Sequence, residues 1–314
     1  MRISLITPAR PGSRAGNRHT ATRWAGFLRA AGHRVAIAQE WAPDQDCVLL
    51  LALPARRSHA SIRTFAREHP DRPLVLALTG TDVYRDIRIS PEAKESLELA
   101  SRFIVLQAKA VEELSRKFRP RTHVVVQSSA TRLRQAPVRR TFRICVIGHL
   151  RDEKDPLRAL YALARLPQGF PVEVIQLGDS LDQDLADAAE AATRSEPRYR
   201  WLGGVAHHRA LRWLASSHAM VISSRMEGGA NVISEAIRIG VPVLASDIPG
   251  NVGLLGSRYP AYYPVGDASA LAHLIHRARG DRRFYAALKE RISRLHPLVA
   301  PAREARALRA ALET

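Results

Sequence analysis

Residues able to do chemistry gather in four turns, each placed after an apolar run. The densest is Val221-Ile-Ser-Ser-Arg-Met-Glu-Gly-Gly-Ala-Asn-Val-Ile-Ser-Glu-Ala236. Gly228 and Gly229 stand ahead of a helical pattern, where unsatisfied backbone amides can meet a diphosphate and stabilise charge on a leaving group. Glu227 and Glu235 are eight residues apart, so both lie on roughly one face if helical, and carboxylates accept hydrogen bonds from sugar or ribose hydroxyls. A helix with solvated glutamates leaves Gly-Gly beside Glu after a strand unexplained. In Val146-Ile-Gly-His-Leu-Arg-Asp-Glu-Lys-Asp-Pro156, Gly148 allows a tight turn. Arg151 and Lys154 can point at an anion held at the start of a helix over 155–165, with Pro156 in its first turn. A solvated charged turn is the competing reading there.

The first turn, Thr7 to Thr20, carries Gly12 and Gly16 between a strand and a helix. It is not G-x-G-x-x-G, so a dinucleotide fingerprint is poorly supported. Arg14, Asn17 and Arg18 tilt the reading from a surface loop towards a phosphate-bearing ligand. In Leu78-Thr-Gly-Thr-Asp-Val-Tyr84, Thr79 to Asp82 follow a buried strand. Asp82 there can orient a hydroxyl, act as a base, or simply cap the turn.

The elements that must position these turns alternate short β-rich runs with amphipathic stretches, the pattern of βαβ units on parallel sheets. Strands are expected at 2–7, 34–38, 47–53, 74–78, 103–106 and 123–126, with helices at 18–31, 56–68, 91–100 and 108–117. A polar, basic stretch from Ser128 to Arg140, with Pro137, reads as a linker. Beyond it the alternation restarts, with strands at 143–147, 172–177, 199–202, 219–223 and 243–245 and helices at 155–165, 181–192, 207–216 and 230–239. The tail from Ala268 is helical, broken at His296-Pro297. Two such α/β domains would leave a cleft at the carboxyl ends of both sheets.

Composition sets the outer limits. At 314 residues with 46% apolar content the chain can build two cores, which excludes wholesale disorder. Its longest apolar run, Cys47 to Leu53, is far short of the roughly 20 residues that span a bilayer. No signal-peptide core is read at the N-terminus, and the two cysteines indicate no disulfide framework, so a cytoplasmic protein without a membrane partner is expected. The net charge is +18, but it comes from 43 arginines and only 5 lysines scattered without a tract longer than two. That distribution reflects composition rather than a nucleic-acid patch; an anionic small substrate uses the same field.

The segment Glu227-x7-Glu235, followed by Gly240-Val-Pro-Val-Leu-Ala-Ser246, resembles the donor-binding segment of the retaining glycosyltransferases of family 4. The resemblance covers essentially the whole chain. It implies a GT-B fold of two Rossmann-like domains, 1–135 for the acceptor and 140–296 for the nucleotide-sugar donor, with a helix over 297–314 returning to the first. It further implies that Glu227 contacts the donor sugar, that the amides of Gly228, Gly229, Ala230 and Asn231 hold the diphosphate, and that Glu235 binds the ribose. Gly148-His-Leu-Arg-Asp-Glu-Lys154 is similar to the family's Gly-Arg-Leu-x-x-x-Lys stretch, which implies that Lys154 grips the diphosphate. His149 departs from the family arginine, leaving Arg151 or Arg225 to supply the second cation.

A narrower resemblance is carried by Pro11-Gly-Ser-Arg-Ala-Gly-Asn-Arg18, Leu78-Thr-Gly-Thr-Asp-Val-Tyr-Arg-Asp86, Ser223 to Asn231, and Ile248-Pro-Gly-Asn-Val-Gly-Leu-Leu-Gly256. Together they are similar to the selenosugar synthases of selenoneine biosynthesis. The reaction this implies transfers a sugar from UDP-GlcNAc or UDP-glucose to selenophosphate, releasing UDP and phosphate. The catalytic set is then Lys154, Glu227 and Asp82, with Gly12, Arg14, Asn17, Arg18 and Thr81 on the acceptor and Arg23 adding positive charge beside them. No metal and no obligatory cofactor is expected. Two other readings stand beside it: an ordinary family 4 enzyme with a hydroxyl or thiol acceptor, and a nucleotide-sugar binding protein without catalysis.

Overall fold

The computed structural model describes residues 1–13 and 16–313. The chain forms two compact units. One comprises Met1–Ser128, Glu227–Asn231 and the chain from Ala300; the other comprises Ser129–Met226 and Val232–Val299.

The first unit holds six parallel strands: β1 (Arg2–Ile6), β2 (Arg34–Ala38), β3 (Leu49–Ala52), β4 (Leu74–Ala77), β5 (Arg102–Val105) and β6 (Thr122–Val124), in the order β2-β1-β3-β4-β5-β6. Side chains alternate between two cores. Leu50, Ala52, Leu74, Leu76, Phe103 and Val105 enter one. Ile3, Leu5, Leu49, Leu51, Val75, Ala77 and Ile104 enter the other. With both faces covered, these strands are continuously apolar rather than alternating. The second core is completed by Trp24 and Leu28 of the helix Gly16–Ala30 and by Leu308 and Leu312 of the helix Pro301–Glu313.

That last helix is fixed by one carboxylate. Glu304 is buried, and its Oε1 accepts from Trp24 Nε1 at 2.7 Å. Its Oε2 accepts from Arg23 Nε at 2.9 Å and from the Ser128 amide at 2.7 Å. Arg23 is therefore committed to an ion pair inside the first unit.

The second unit holds β7 (Phe142–Ile147), β8 (Val172–Leu177), β9 (Tyr199–Trp201), β10 (Ala219–Ile222), β11 (Val243–Ser246) and β12 (Tyr262–Tyr263), in the order β12-β11-β10-β7-β8-β9. Strands are added on one side of β7 and then on the other. The carboxyl ends of β7 and β10 therefore flank the switch point, where open α/β sheets bind ligands.

Several expected elements differ from those observed. The helix expected from Asp155 begins at Arg158, because Asp155 sits in the left-handed region at φ 44° and cannot open a right-handed helix. Arg158 grips its carboxylate with Nε at 2.8 Å and Nη2 at 3.1 Å, and Pro156 falls in the preceding turn. The helix expected over 108–117 shrinks to Lys109–Glu112, and Arg119 takes the carbonyls of Glu112 and Leu114 that a longer helix would use. A helix Pro249–Leu255 and the two-residue β12 were not expected; Gly250 and Gly253 mask the helix despite proline at its first turn. No helix among the described residues is long and apolar enough to cross a membrane.

Replacing Glu304 with Ala leaves Arg23, the Trp24 N–H and the Ser128 amide without their acceptor. Chemical denaturation should show a loss of about 3–5 kcal/mol, the range for breaking a buried ion pair; a change under 1 kcal/mol would mean the final helix is held by its apolar face alone.

Candidate functional site

In the second unit the loop after β7 is built by backbone contact. Gly148 N–H donates to the Leu177 carbonyl at 2.9 Å, and Leu150 N–H to that of Asp179 at 3.0 Å. Gly178, at φ 145°, lies so close that an added Cβ would fall on the Gly148 carbonyl and 2.9 Å from His149 N. His149 Nδ1 accepts the Asp179 amide at 3.2 Å. Through this hydrogen bond His149 ties the two loops together.

The Lys154 stem lies over Gly148, its Cδ 3.9 Å from where a Cβ would be. Lys154 closes a short 3-10 turn, Asp152–Lys154, that β10 anchors from beside it. Ser223, just past β10, donates its hydroxyl to the carbonyls of Lys154 at 3.1 Å and Asp155 at 2.8 Å. Arg225 N–H donates to the Glu153 carbonyl at 2.9 Å, while its guanidinium lies 3.5 Å from Asp152. Arg151 sits 3.9 Å from Glu153. Next along the sheet, Ser246 Oγ donates to the Ser224 carbonyl at 2.6 Å, and Asn251 Nδ2 donates to the Ser246 carbonyl at 2.9 Å. Lys154, Arg151 and Arg225 are thus held at the carboxyl ends of β7 and β10, a place suited to an anion. Ser223, Ser246 and Asn251, the residues that hold it, were not singled out from sequence; polar residues just past an apolar strand were the available signal.

Glu235 lies on the helix Asn231–Ile239 and is largely buried. His207 Nε2, at the start of the helix His207–Ala215, is 2.7 Å from its Oε1. The hydrogen bond and charge of Glu235 raise the His207 imidazole above its ordinary value. A raised imidazole contributes stability that is complete below the unfolded value near 6.5 and is lost as pH rises through the higher folded value.

In the first unit the segment Glu227–Asn231 lies against the loop after β4. An added Cβ on Gly80 would lie 2.6 Å from Gly228 N, and one on Gly229 would lie 2.5 Å from Leu106 Cβ. Gly228 and Gly229 therefore answer first to close packing. Glu227 is buried, as is Gly228; Ala230 is 5% exposed. Asn231 Nδ2 is 3.9 Å from where a Gly16 Cβ would stand, and its Oδ1 is buried without a hydrogen-bond partner. Gln127, close to Gly229, donates to Thr20 Oγ1 at 2.5 Å, and Thr20 in turn donates to the Gly16 carbonyl. The start of the helix Gly16–Ala30 and the segment ending at Asn231 are thereby brought together.

Asn17 and Arg18 lie half-buried in that helix's first turn. Gly12, at φ 77°, makes the exposed turn ahead of it. Arg14 lies outside the described residues. Thr81 is half-buried where the chain enters the π-helical turn Asp82–Asp86. Asp82 is completely buried; it accepts from the Thr79 amide at 2.8 Å, from Thr79 Oγ1 at 2.9 Å and from the Arg56 amide at 3.5 Å. Burial pushes its carboxyl up against those hydrogen bonds. Its oxygens are engaged by the turn they hold closed.

Two outcomes follow. Gly228→Ala forces backbone apart and should cost about 1–3 kcal/mol in denaturant melts, whereas Gly26→Ala, with open space at the Cβ position of an exposed helix site, should be neutral or stabilising by up to about 1 kcal/mol. Equal effects would remove the close-packing account. For the His207–Glu235 pair, an NMR titration should find the imidazole above its ordinary value and falling back in Glu235→Gln; an unmoved titration would dissolve the pair.

The sequence matches the family described as "Glycosyl transferases group 1" over residues 131–294, just over half of the chain. Similar solved structures include the Anabaena protein Alr3699/HepE in complex with UDP, 18% identical with a TM-score of 0.79 over 100% of both chains. The sucrose-phosphate synthase of Thermosynechococcus elongatus is 16% identical at TM-score 0.79, over 99% of this chain and 98% of that one. A glycosyltransferase from Rickettsia africae is 12% identical at TM-score 0.71, over 99% and 97%. With the two parallel six-stranded sheets these likenesses give the fold as GT-B. The chain belongs to the group 1 glycosyl transferases.

Proposed function

We propose that the chain is a UDP-sugar-dependent glycosyltransferase that takes selenophosphate as acceptor. Selenium attacks the anomeric carbon of UDP-GlcNAc or UDP-glucose, a carbon–selenium bond forms, the bond from that carbon to the diphosphate oxygen breaks, and its electron pair leaves with UDP. Water then cleaves the selenium–phosphorus bond, releasing phosphate and a selenosugar.

Each residue has one task on this reading. Lys154, with Arg225 or Arg151 as second cation, takes the charge that grows on departing UDP, an interaction stronger in the transition state than before it. Glu235 accepts from the ribose, Glu227 from the sugar, and the Gly228–Asn231 amides accompany the diphosphate. Gly148 leaves room for the Lys154 stem, and His149 fixes the loop that carries it. Asn17, Arg18, Arg14, Gly12 and Thr81 receive the phosphate end of the acceptor. Support for the donor comes from HepE, whose structures hold UDP, and in another crystal UDP-glucose.

The selenophosphate acceptor rests on the resemblance carried by the turns at 11–18, 78–86, 223–231 and 248–256, and the fully buried Asp82, its oxygens engaged in its own turn, agrees with an acceptor that asks for no base. A hydroxyl acceptor must lose a proton in the transition state. Selenium bound to phosphorus is already an anionic nucleophile and asks only to be held near the anomeric carbon.

Purified protein given UDP-GlcNAc or UDP-glucose and selenophosphate should yield a selenium-bearing sugar by mass spectrometry. Lys154→Ala should lower kcat together with kcat/KM, Glu235→Gln should weaken UDP binding by about 1–3 kcal/mol, and Arg18→Ala should raise KM for selenophosphate alone. Turnover of a hydroxyl or thiol acceptor without selenophosphate would reject the selenium assignment, and UDP-sugar binding without turnover of any acceptor would reject the enzyme.

A further inference from the structure

A cavity of about 550 Å³ opens beside the start of β7, lined by Arg139, Arg140, Arg279, Arg282 and Lys289. Its volume lies within the roughly 300–1,000 Å³ of small-molecule sites. Phe142, the first residue of β7, also lines it, whereas Gly148 follows the strand's other end. The intervening strand puts about 17–20 Å between them, so a ligand of the Lys154 loop does not reach this cavity.

Three arginines of the second unit meet carboxylates closely: Arg143 with Glu173 at 2.8 Å, Arg158 with Asp155 at 2.8 Å, Arg198 with Glu196 at 2.8 Å. Among the described residues no carboxylate pairs with Arg139, Arg140, Arg279 or Arg282, and no acidic residue lines the cavity. The nearest acid in sequence, Asp281, stands between two of these arginines. Its carboxylate is used elsewhere, accepting from Phe284 N–H at 2.9 Å and lying 3.4 Å from Arg277.

The cavity wall is also prepared. Lys289 is held by the carbonyl of Gly240 and the side chain of Gln135, and Tyr285 donates its hydroxyl to the His218 carbonyl at 2.9 Å. The imidazole of His218, which lines the cavity, is pushed below its ordinary value by burial and then by Arg279 and Arg143. The field at the cavity wall is therefore positive, and the carboxylate felt at His218, Glu173, is already paired with Arg143. Four guanidinium forks, each able to bind two phosphate oxygens, match an anion with several phosphate groups better than a single phosphate or a carboxylate.

We infer that this cavity is a second ligand site, which binds a soluble small molecule carrying two or more phosphate groups. The site is independent of the proposed reaction and needs neither donor nor acceptor.

Calorimetry of the full chain with sodium tripolyphosphate, at constant ionic strength, tests it. Binding should persist in Lys154→Ala/Arg225→Ala and fall at least tenfold in Arg279→Glu/Arg282→Glu. Should the reversal variant not fold, Arg139→Gln/Arg140→Gln, on the exposed stretch before β7, should also weaken binding. Tripolyphosphate should raise the melting temperature of the parent and not of the cavity variants. Binding unmoved by the cavity variants, or none at millimolar tripolyphosphate, overturns the site. Sedimentation with phosphatidylglycerol vesicles in the absence of any tripolyphosphate binding overturns it too, since the face would then meet lipid.

Discussion

Backbone touches backbone at the carboxyl end of each sheet, and the rest of both loop systems follows from that contact. In the first unit Gly80 and Gly228 leave no room for a Cβ between them; in the second, Gly178 abuts Gly148. Two chains this close exclude side chains and water, so their direction is fixed by geometry and the charged groups must sit outside the contact. Lys154 does so by lying across Gly148. Glycine here is dictated by closeness, while amides free to meet a phosphate are a further property of the same backbone.

What holds the charged groups is mostly uncharged. Ser223 fixes the Lys154 turn, Ser246 fixes Ser224, and Asn251 fixes Ser246. These hydrogen bonds are buried or nearly so, and each contributes where an exposed ion pair would contribute little. The arginine–acid pairs of the same loops, Arg225 with Asp152 and Arg151 with Glu153, are long and partly exposed. The backbone that carries these cations is thus fixed by uncharged groups rather than by their own ion pairs. Glu304 is the opposite case, a buried carboxylate that gathers partners distant in sequence, Arg23, Trp24 and Ser128, and holds a helix.

The strands were legible because a sheet covered on both faces must be apolar at every position, and runs such as Leu74–Ala77 announce themselves. Only their ends moved, by a residue or two. The helices were legible where the apolar stripe was wide and were misjudged where a single side chain intervened, as Arg119 does after Glu112 or Arg158 beside Asp155. In the candidate site the residue types were readable and their packing was only partly so. His149 accepts an amide where the family arginine is missing, Asp82 holds its own turn, one of the readings its position allowed, and Gly228 and Gly229 are also needed for close packing, which the sequence did not announce. The His149 and glycine contacts depend on which loop lies opposite, and loops far apart in sequence leave no periodic trace.

The buried position of Asp82 bears on the chemistry beyond its own turn. Its carboxyl is pushed up by burial yet wrapped by the Thr79 and Arg56 donors, so the same hydrogen bonds that keep the turn closed make it unfit to collect a proton from outside. On the proposed reading, a carboxylate engaged in this way goes with a nucleophile that brings its own negative charge. Such a nucleophile in turn needs cations near it, and the half-buried Arg18 stands in the first turn of the helix Gly16–Ala30, whose N-terminal amides add their own positive end. On the proposed reaction, then, the work shifts from proton transfer to holding two anions close against their repulsion.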